Sequence, residues 1–229
     1  QSQLGLLELP LMKIHLHDCA VRSKQLQWIC TAMDEGRLPK LELLYITNKE
    51  GLVCDDTDHI QWFTKPHTDL TFLQLYHIPI SSVTGASLLS LCLTGTFHRL
   101  DWFELYGMNV DGDVNLQHDI NQQQSQLGEI ELPLKWIYLS DCAVRAKQLQ
   151  WICTAMDEGR LPQLEHLEIS KNKKDGLVCD DTDHIQWFTK PHTHLQRLEL
   201  RHIPISHVTG ASLLSICLTG TFPRLKRLE

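Results

Sequence analysis

The sequence predicts an α/β repeat protein, in which parallel strands form one sheet and short helices pack against one side of it. Three observations lead to this fold class. A leucine motif returns about every 30 residues, helical patterns lie between its copies, and an internal duplication spans the chain. The 229 residues are 42% hydrophobic and 21% charged, which is enough apolar material for a folded core and too little charge for a disordered chain.

The leucine motif has the form L-x-x-L-x-L and predicts the strands. Its eight copies follow one another at spacings of 29 to 34 residues, and their first leucines are Leu11, Leu41, Leu70, Leu100, Leu134, Leu164, Leu195 and Leu225. Because side chains alternate along a strand, the leucines should enter the core while most of the x positions point to the opposite, concave face. A unit this short can bury its leucines only against its neighbours.

A helix is predicted after the first strand. The run from Leu26 to Met33 has apolar residues at i, i+3, i+4 and i+7, which is typical of an amphipathic helix. Ser23 is the candidate cap before this run, and Gly36 is positioned to end the helix.

Two further helical patterns occur in the first half of the chain. The run Ser82–Gly95 predicts a helix with Thr84 as its cap and Gly95 as its stop. The run Asp55–Phe63 places carboxylates in a first turn, where the helix dipole favours them, and Pro66 would end it. The clustered acids at that helix start are explained by capping without a metal ion.

The duplication relates residues 1–123 to residues 124–229. Of 101 residues that pair without gaps, 22 differ, and 17 of these lie in the four short strand segments, whereas the helices are almost unchanged. A scaffold altered mainly on one face of its sheet is what a binding surface would produce. Drift at exposed sites is the alternative, but exposed helix positions such as Lys24 were equally free to drift and match their counterparts.

The x positions change in character along the array. From the second to the fifth motif they carry the aromatic residues Tyr45, Phe72, Tyr76, Trp102, Tyr106, Trp136 and Tyr138. Later x positions carry the charged or polar residues Glu165, His166, Glu168, Arg197, Glu199, Arg201, Lys226 and Arg227. Exposed aromatic residues beside charged ones are typical of a binding hot spot with a polar rim. We therefore predict that a protein or other macromolecular ligand contacts the seven aromatic residues, with Arg197, Arg201 and Arg227 setting orientation or specificity.

The repeat length and the sequence pattern of segments such as Val208–Glu229 resemble those of leucine-rich repeats of the ribonuclease-inhibitor-like type. Such repeats also form the sensor domain of NLR (nucleotide-binding leucine-rich-repeat) innate immune receptors. The resemblance covers all eight repeats and implies a curved horseshoe, with the parallel sheet on the concave face and helices on the convex face. It implies a binding role, as part of a receptor or as an intracellular enzyme inhibitor or GTPase-activating scaffold.

Charge and cysteine content narrow the possible functions. A net charge of −7 and a pI near 6.0 argue against binding to nucleic acid or to an anionic membrane, which needs a basic surface. No C-x-x-C pair occurs among the eight cysteines, and no N-x-[ST] sequon is present, so free thiols in the cytoplasm are expected. No nucleophile elbow, phosphate loop or H-E-x-x-H motif occurs. We expect neither catalytic residues, nor a cofactor, nor a metal site.

The ends of the sequence suggest one array of about eight repeats cut from a longer one. Gln1–Gly5 returns at Gln124–Gly128, and Glu229 aligns with Glu104 in the middle of a unit. Without capping repeats, end-to-end self-association is expected. The glutamine-rich stretch Asn115–Gly128 is the expected place for an irregular or mobile turn.

Overall fold

A computed structural model describes residues 8–49, 60, 62–63, 67, 69–112, 114, 131–170, 185, 187–203 and 207–229. The strands are β1 (Lys13–Cys19), β2 (Leu43–Asn48), β3 (Phe72–Tyr76), β4 (Trp102–Tyr106), β5 (Trp136–Ser140), β6 (His166–Ser170), β7 (Arg197–Arg201) and β8 (Arg227–Leu228). The helices of these residues are α1 (Ser23–Asp34), α2 (Ser82–Thr94), α3 (Ala146–Asp157) and α4 (His207–Leu218).

The eight strands form one parallel sheet in chain order, from β1 to β8. Each strand coincides with a leucine motif, so the predicted α/β class with a parallel sheet is confirmed. The sheet is continuous across the boundary between the two sequence copies, because β4 pairs with β5 and Trp102 lies opposite Trp136. Positions one motif apart therefore lie side by side.

The leucines of the motif form the core, together with one side of each helix. Leu73 and Leu75 of β3, for example, belong to the same buried cluster as Leu88 and Leu89 of α2. Six of the eight first leucines of the motif are buried. Leu11 is an exception to the expectation, since it lies two residues before β1 and is 42% exposed.

The caps of α1 and α2 lie one and three residues before the predicted caps. Ser23 is the first residue of α1 and not its cap, and the backbone N–H of Arg22 before it donates to the side-chain oxygen of Gln25. The cap of α2 is Ser81, whose hydroxyl accepts from the backbone N–H of Thr84, the residue predicted to cap. Two serine or threonine residues within one turn are equally plausible caps by sequence.

The helix ends agree with the prediction. Gly95 follows α2 in the left-handed conformation, with φ of 97°, and its N–H donates to the carbonyl of Leu91. Gly36 lies just beyond α1 with φ of 72°. Both positions favour glycine because a side chain opposes positive φ.

Some expectations fall wholly or partly outside the described residues. The stretch Asn115–Gly128 lies outside them. So does most of the predicted helix Asp55–Phe63, although its described residues Ile60, Trp62 and Phe63 are buried and are not helical. The described helices are 12 or 13 residues long, and none has the length and apolar character needed to cross a membrane.

Candidate ligand-binding surface

The x positions of the motif form rows across the face of the sheet opposite the core, which we call the aromatic face. Strand register aligns one row as Phe72, Trp102, Trp136, His166, Arg197 and Arg227. The middle row is Tyr45, Gln74, Glu104, Tyr138, Glu168 and Glu199. The third row includes Tyr76, Tyr106 and Ser140, and further along Ser170 beside Arg201. All ten predicted contact residues thus lie on one face.

The first two rows bring the large rings into one patch. The ring of Trp102 lies at its centre, with centroids 5.5 Å from Phe72, 5.1 Å from Trp136 and 5.2 Å from Tyr138. Such offset contacts are favourable for aromatic pairs. All four side chains keep part of their surface exposed, so the patch is available for contact.

Tyrosine rings continue the aromatic face toward the ends of the strands. The ring centroids of Tyr45 and Tyr76 are 6.1 Å apart, and those of Tyr76 and Tyr106 are 5.2 Å apart. The sequence prediction that residues from separate repeats form one aromatic surface is consistent with this geometry, while their role in binding stays a prediction.

Glu104 joins the ring patch to the tyrosines, and sequence reasoning did not single it out. Its carboxylate accepts hydrogen bonds from Trp102 Nε1 at 2.9 Å, Gln74 Nε2 at 3.0 Å and the Tyr76 hydroxyl at 2.5 Å. Burial and the hydrogen bond to Glu104 raise the pKa of Tyr76. The signal that could have revealed Glu104 is its place in the middle row, between aromatic x positions of the same strand.

The far end of the face carries an arginine–glutamate network. Glu199 was expected among the exposed charges but is fully buried, with 0% of its surface accessible. Arg197, Arg201 and Arg227 approach its carboxylate at 2.5, 2.7 and 2.7 Å. The hydrogen bond to Glu199 raises the pKa of Arg197. The three arginines are therefore held in place by a carboxylate beneath them.

A shallow cavity of about 570 Å³ opens on the aromatic face where β3 to β6 end. Its lining residues are Tyr76, Glu104, Tyr106, Ser140, Asp141, Glu168 and Ser170. Among the described residues of the lining there is neither Lys nor Arg. The cavity lies beside both the aromatic patch and the arginine network, because Arg197 Nη2 is 3.1 Å from Glu168 Oε2.

The described cysteines are free thiols. Cys30, Cys92, Cys142 and Cys153 are buried free thiols, and Cys19 and Cys217 are half-buried free thiols. Within the described ranges, no three His, Cys, Asp or Glu side chains are arranged to hold a metal ion.

Comparison of the chain with family models, with curated proteins and with solved structures finds no match.

Proposed function

We propose that the protein is a non-enzymatic recognition module of the leucine-rich-repeat type, which binds a protein ligand on its aromatic face. In this proposal the sheet is the concave side of a ribonuclease-inhibitor-like horseshoe. Regular strands at every leucine motif and helices on the leucine side support this assignment. The biological role that we propose is ligand sensing in an intracellular innate immune receptor.

The observation that carries the proposal is the contiguous patch around Trp102. Aromatic side chains at the centre of protein interfaces supply most of the binding energy, and surrounding polar groups exclude water. Here the Trp102 ring contacts three other rings, and Glu104 fixes its indole N–H. Rings already held in place lose little freedom when a ligand binds, which favours affinity.

The divergence between the sequence copies points to the same face. Phe72, Tyr76 and Trp102 correspond to Arg197, Arg201 and Arg227 in the second copy, whereas the helix sequences hardly change. One scaffold therefore presents an aromatic surface in its first half and a charged surface in its second half. A single ligand that spans both halves would meet an apolar centre and a polar flank.

The test compares a face variant with a helix variant. Proteins captured from a cell extract are identified by mass spectrometry, and the affinity of one purified candidate is measured for the Trp102→Ala/Trp136→Ala variant and for Lys24→Glu. Truncation of an aromatic anchor costs about 2 kcal/mol or more, whereas a peripheral charge costs less. We expect the face variant to weaken binding and Lys24→Glu to leave it unchanged.

The opposite pattern, in which Lys24→Glu abolishes binding and the double tryptophan variant does not, would place the interface on the helices. If the captured ligand is an intracellular enzyme and this protein inhibits it, the inhibitor role is favoured over the receptor role.

A further inference from the structure

We propose that the cavity at the ends of β3 to β6 receives a lysine or arginine side chain of the protein ligand. This inference rests on the proposed function and specifies the ligand chemistry of one part of the aromatic face. Its basis is the combination of an open cavity, two aromatic walls and, among the described lining residues, three carboxylates without a cationic side chain.

The aromatic walls suit a cation. Tyr76 and Tyr106 line the cavity on adjacent strands, with ring centroids 5.2 Å apart and ring planes inclined by 45°. The face of an aromatic ring carries partial negative charge and attracts an ammonium or guanidinium group within about 6 Å. A neutral apolar side chain would also contact the rings but would gain nothing from the carboxylates beside them.

The charges in the cavity are unbalanced. Glu104, Asp141 and Glu168 contribute three carboxylates, and the lining residues that the structure describes include no lysine or arginine. Arg197 reaches Glu168 from the neighbouring strand but also contacts the buried Glu199. One guanidinium is thus shared between two carboxylates, and a ligand cation would complete the charge balance on this side of the face.

The acceptor groups are held in position before a ligand arrives. The hydrogen bonds that Glu104 receives from three side chains fix its carboxylate. The Ser140 hydroxyl lies 3.5 Å from the other oxygen of Glu168, the one that Arg197 does not contact. Fixed acceptors bind a cation at a lower entropic cost than mobile surface acids do. A volume of about 570 Å³ accommodates one long side chain.

The duplication supplies a matched control for Asp141. Asp18 is its counterpart in the first copy, and the two residues have nearly the same left-handed backbone, with φ of 54° and 50°. Only Asp141 lines the cavity. Asp141→Asn and Asp18→Asn therefore remove the same charge from the same backbone setting, and asparagine tolerates this conformation.

The experiment titrates the purified full chain with three capped tripeptides, Gly-Arg-Gly, Gly-Lys-Gly and Gly-Gln-Gly. Binding is followed by NMR through the indole N–H of Trp102, which donates to Glu104 at the edge of the cavity. We expect saturable shifts with at least one basic peptide, at a Kd at least tenfold below that of the glutamine peptide. Asp141→Asn should weaken this binding at least fivefold, and Asp18→Asn less than twofold. Tyr106→Leu, which removes one aromatic wall, should also weaken it.

Two results would overturn the proposal. One is equal binding of the glutamine peptide, and the other is equal weakening by Asp18→Asn, which would show general attraction to an acidic protein. Thermal unfolding of each variant identifies any that fails to fold, and Asp141→Asn remains decisive if Tyr106→Leu does not fold. A protein ligand that depends on Trp102 and Trp136, together with no tripeptide binding, would reject the cavity while the proposed function stands. Tripeptide binding without that tryptophan dependence would reject the proposed function alone.

Discussion

The tryptophans Trp28 and Trp151 allow the packing of the repeats to be tested with an internal control. They occupy the same position of α1 and α3, in the identical sequence KQLQWICTAMD. Trp151 is 7% exposed, whereas Trp28 is 59% exposed. The difference arises from tertiary position, because α3 packs against α2 while α1 is the first described helix.

The expected cost of truncation follows from this difference in burial. About half of a tryptophan surface, on the order of 100 Å², is buried at Trp151 and exposed at Trp28. At about 25 cal/mol per Å², this area corresponds to about 2.5 kcal/mol. Each tryptophan ring also has a lysine ammonium of its own helix near it, Lys24 at 6.0 Å and Lys147 at 5.9 Å from the ring centroid. The contribution of this contact to stability is therefore the same in both helices and cancels in the comparison. We expect Trp151→Ala to lose about 3 kcal/mol of unfolding free energy and Trp28→Ala to lose about 1 kcal/mol or less.

The assay is equilibrium urea unfolding of both variants and the parent protein, followed by far-UV circular dichroism. This signal reports on backbone structure and does not depend on the tryptophans that are removed. Equal losses for the two variants would refute the assignment of α2 and α3 as packed neighbours.

Three other predictions concern pH, thiols and association. Burial lowers the pKa of His192 below its usual 6.5. Burial acts in the opposite direction on the carboxyl of Asp157, but hydrogen bonds from Thr189, His192 and Lys190 outweigh it and lower the pKa of Asp157 below 3.8. The folded state therefore binds fewer protons than the unfolded state, so unfolding free energy should fall as pH drops below about 6.5 and again below about 4; thermal melts that are flat from pH 7 to 3 would contradict this. Burial raises the pKa of Cys142 to about 12 and also raises those of Cys30, Cys92 and Cys153, so these thiols should react slowly with iodoacetamide in the folded protein. All eight cysteines should become reactive in urea without reductant, and cross-linked cysteine peptides would disprove this. Large apolar side chains are exposed on two helices, namely Trp28 on α1 and Leu214 and Leu218 on α4. Light scattering should therefore show self-association that rises with protein concentration and is reduced by Leu214→Glu. A protein that stays monomeric at all concentrations would contradict this prediction.

The leucine period predicted the strands, and the same period is consistent with the register that the structure shows. Once Leu73 and Phe103 are assigned to equivalent core positions, Phe72 must lie beside Trp102, and the structure places it there. The period carries no such information about segments that differ from the motif, such as the residues around Trp62.

The polar interactions were less predictable from the sequence. They depend on which side chains of neighbouring strands come within hydrogen-bonding distance of a given group. The leucine pattern correctly places Glu199 on the aromatic face of the sheet. Its burial, however, depends on arginines that two strands contribute. Glu104 likewise gains its position from partners on two strands, among them Gln74. A single motif read alone shows neither arrangement.

Hydroxyl-radical footprinting of a complex with a captured and purified protein ligand tests the binding face most directly. Tryptophan, tyrosine and phenylalanine side chains are oxidised where they are accessible, and Trp28, on a helix away from the aromatic face, serves as the internal reference. We expect the ligand to protect Trp102, Trp136 and Tyr138 while the oxidation of Trp28 stays unchanged. Protection of Trp28 with unchanged oxidation of Trp102 and Trp136 would contradict the assignment of the aromatic face as the binding surface.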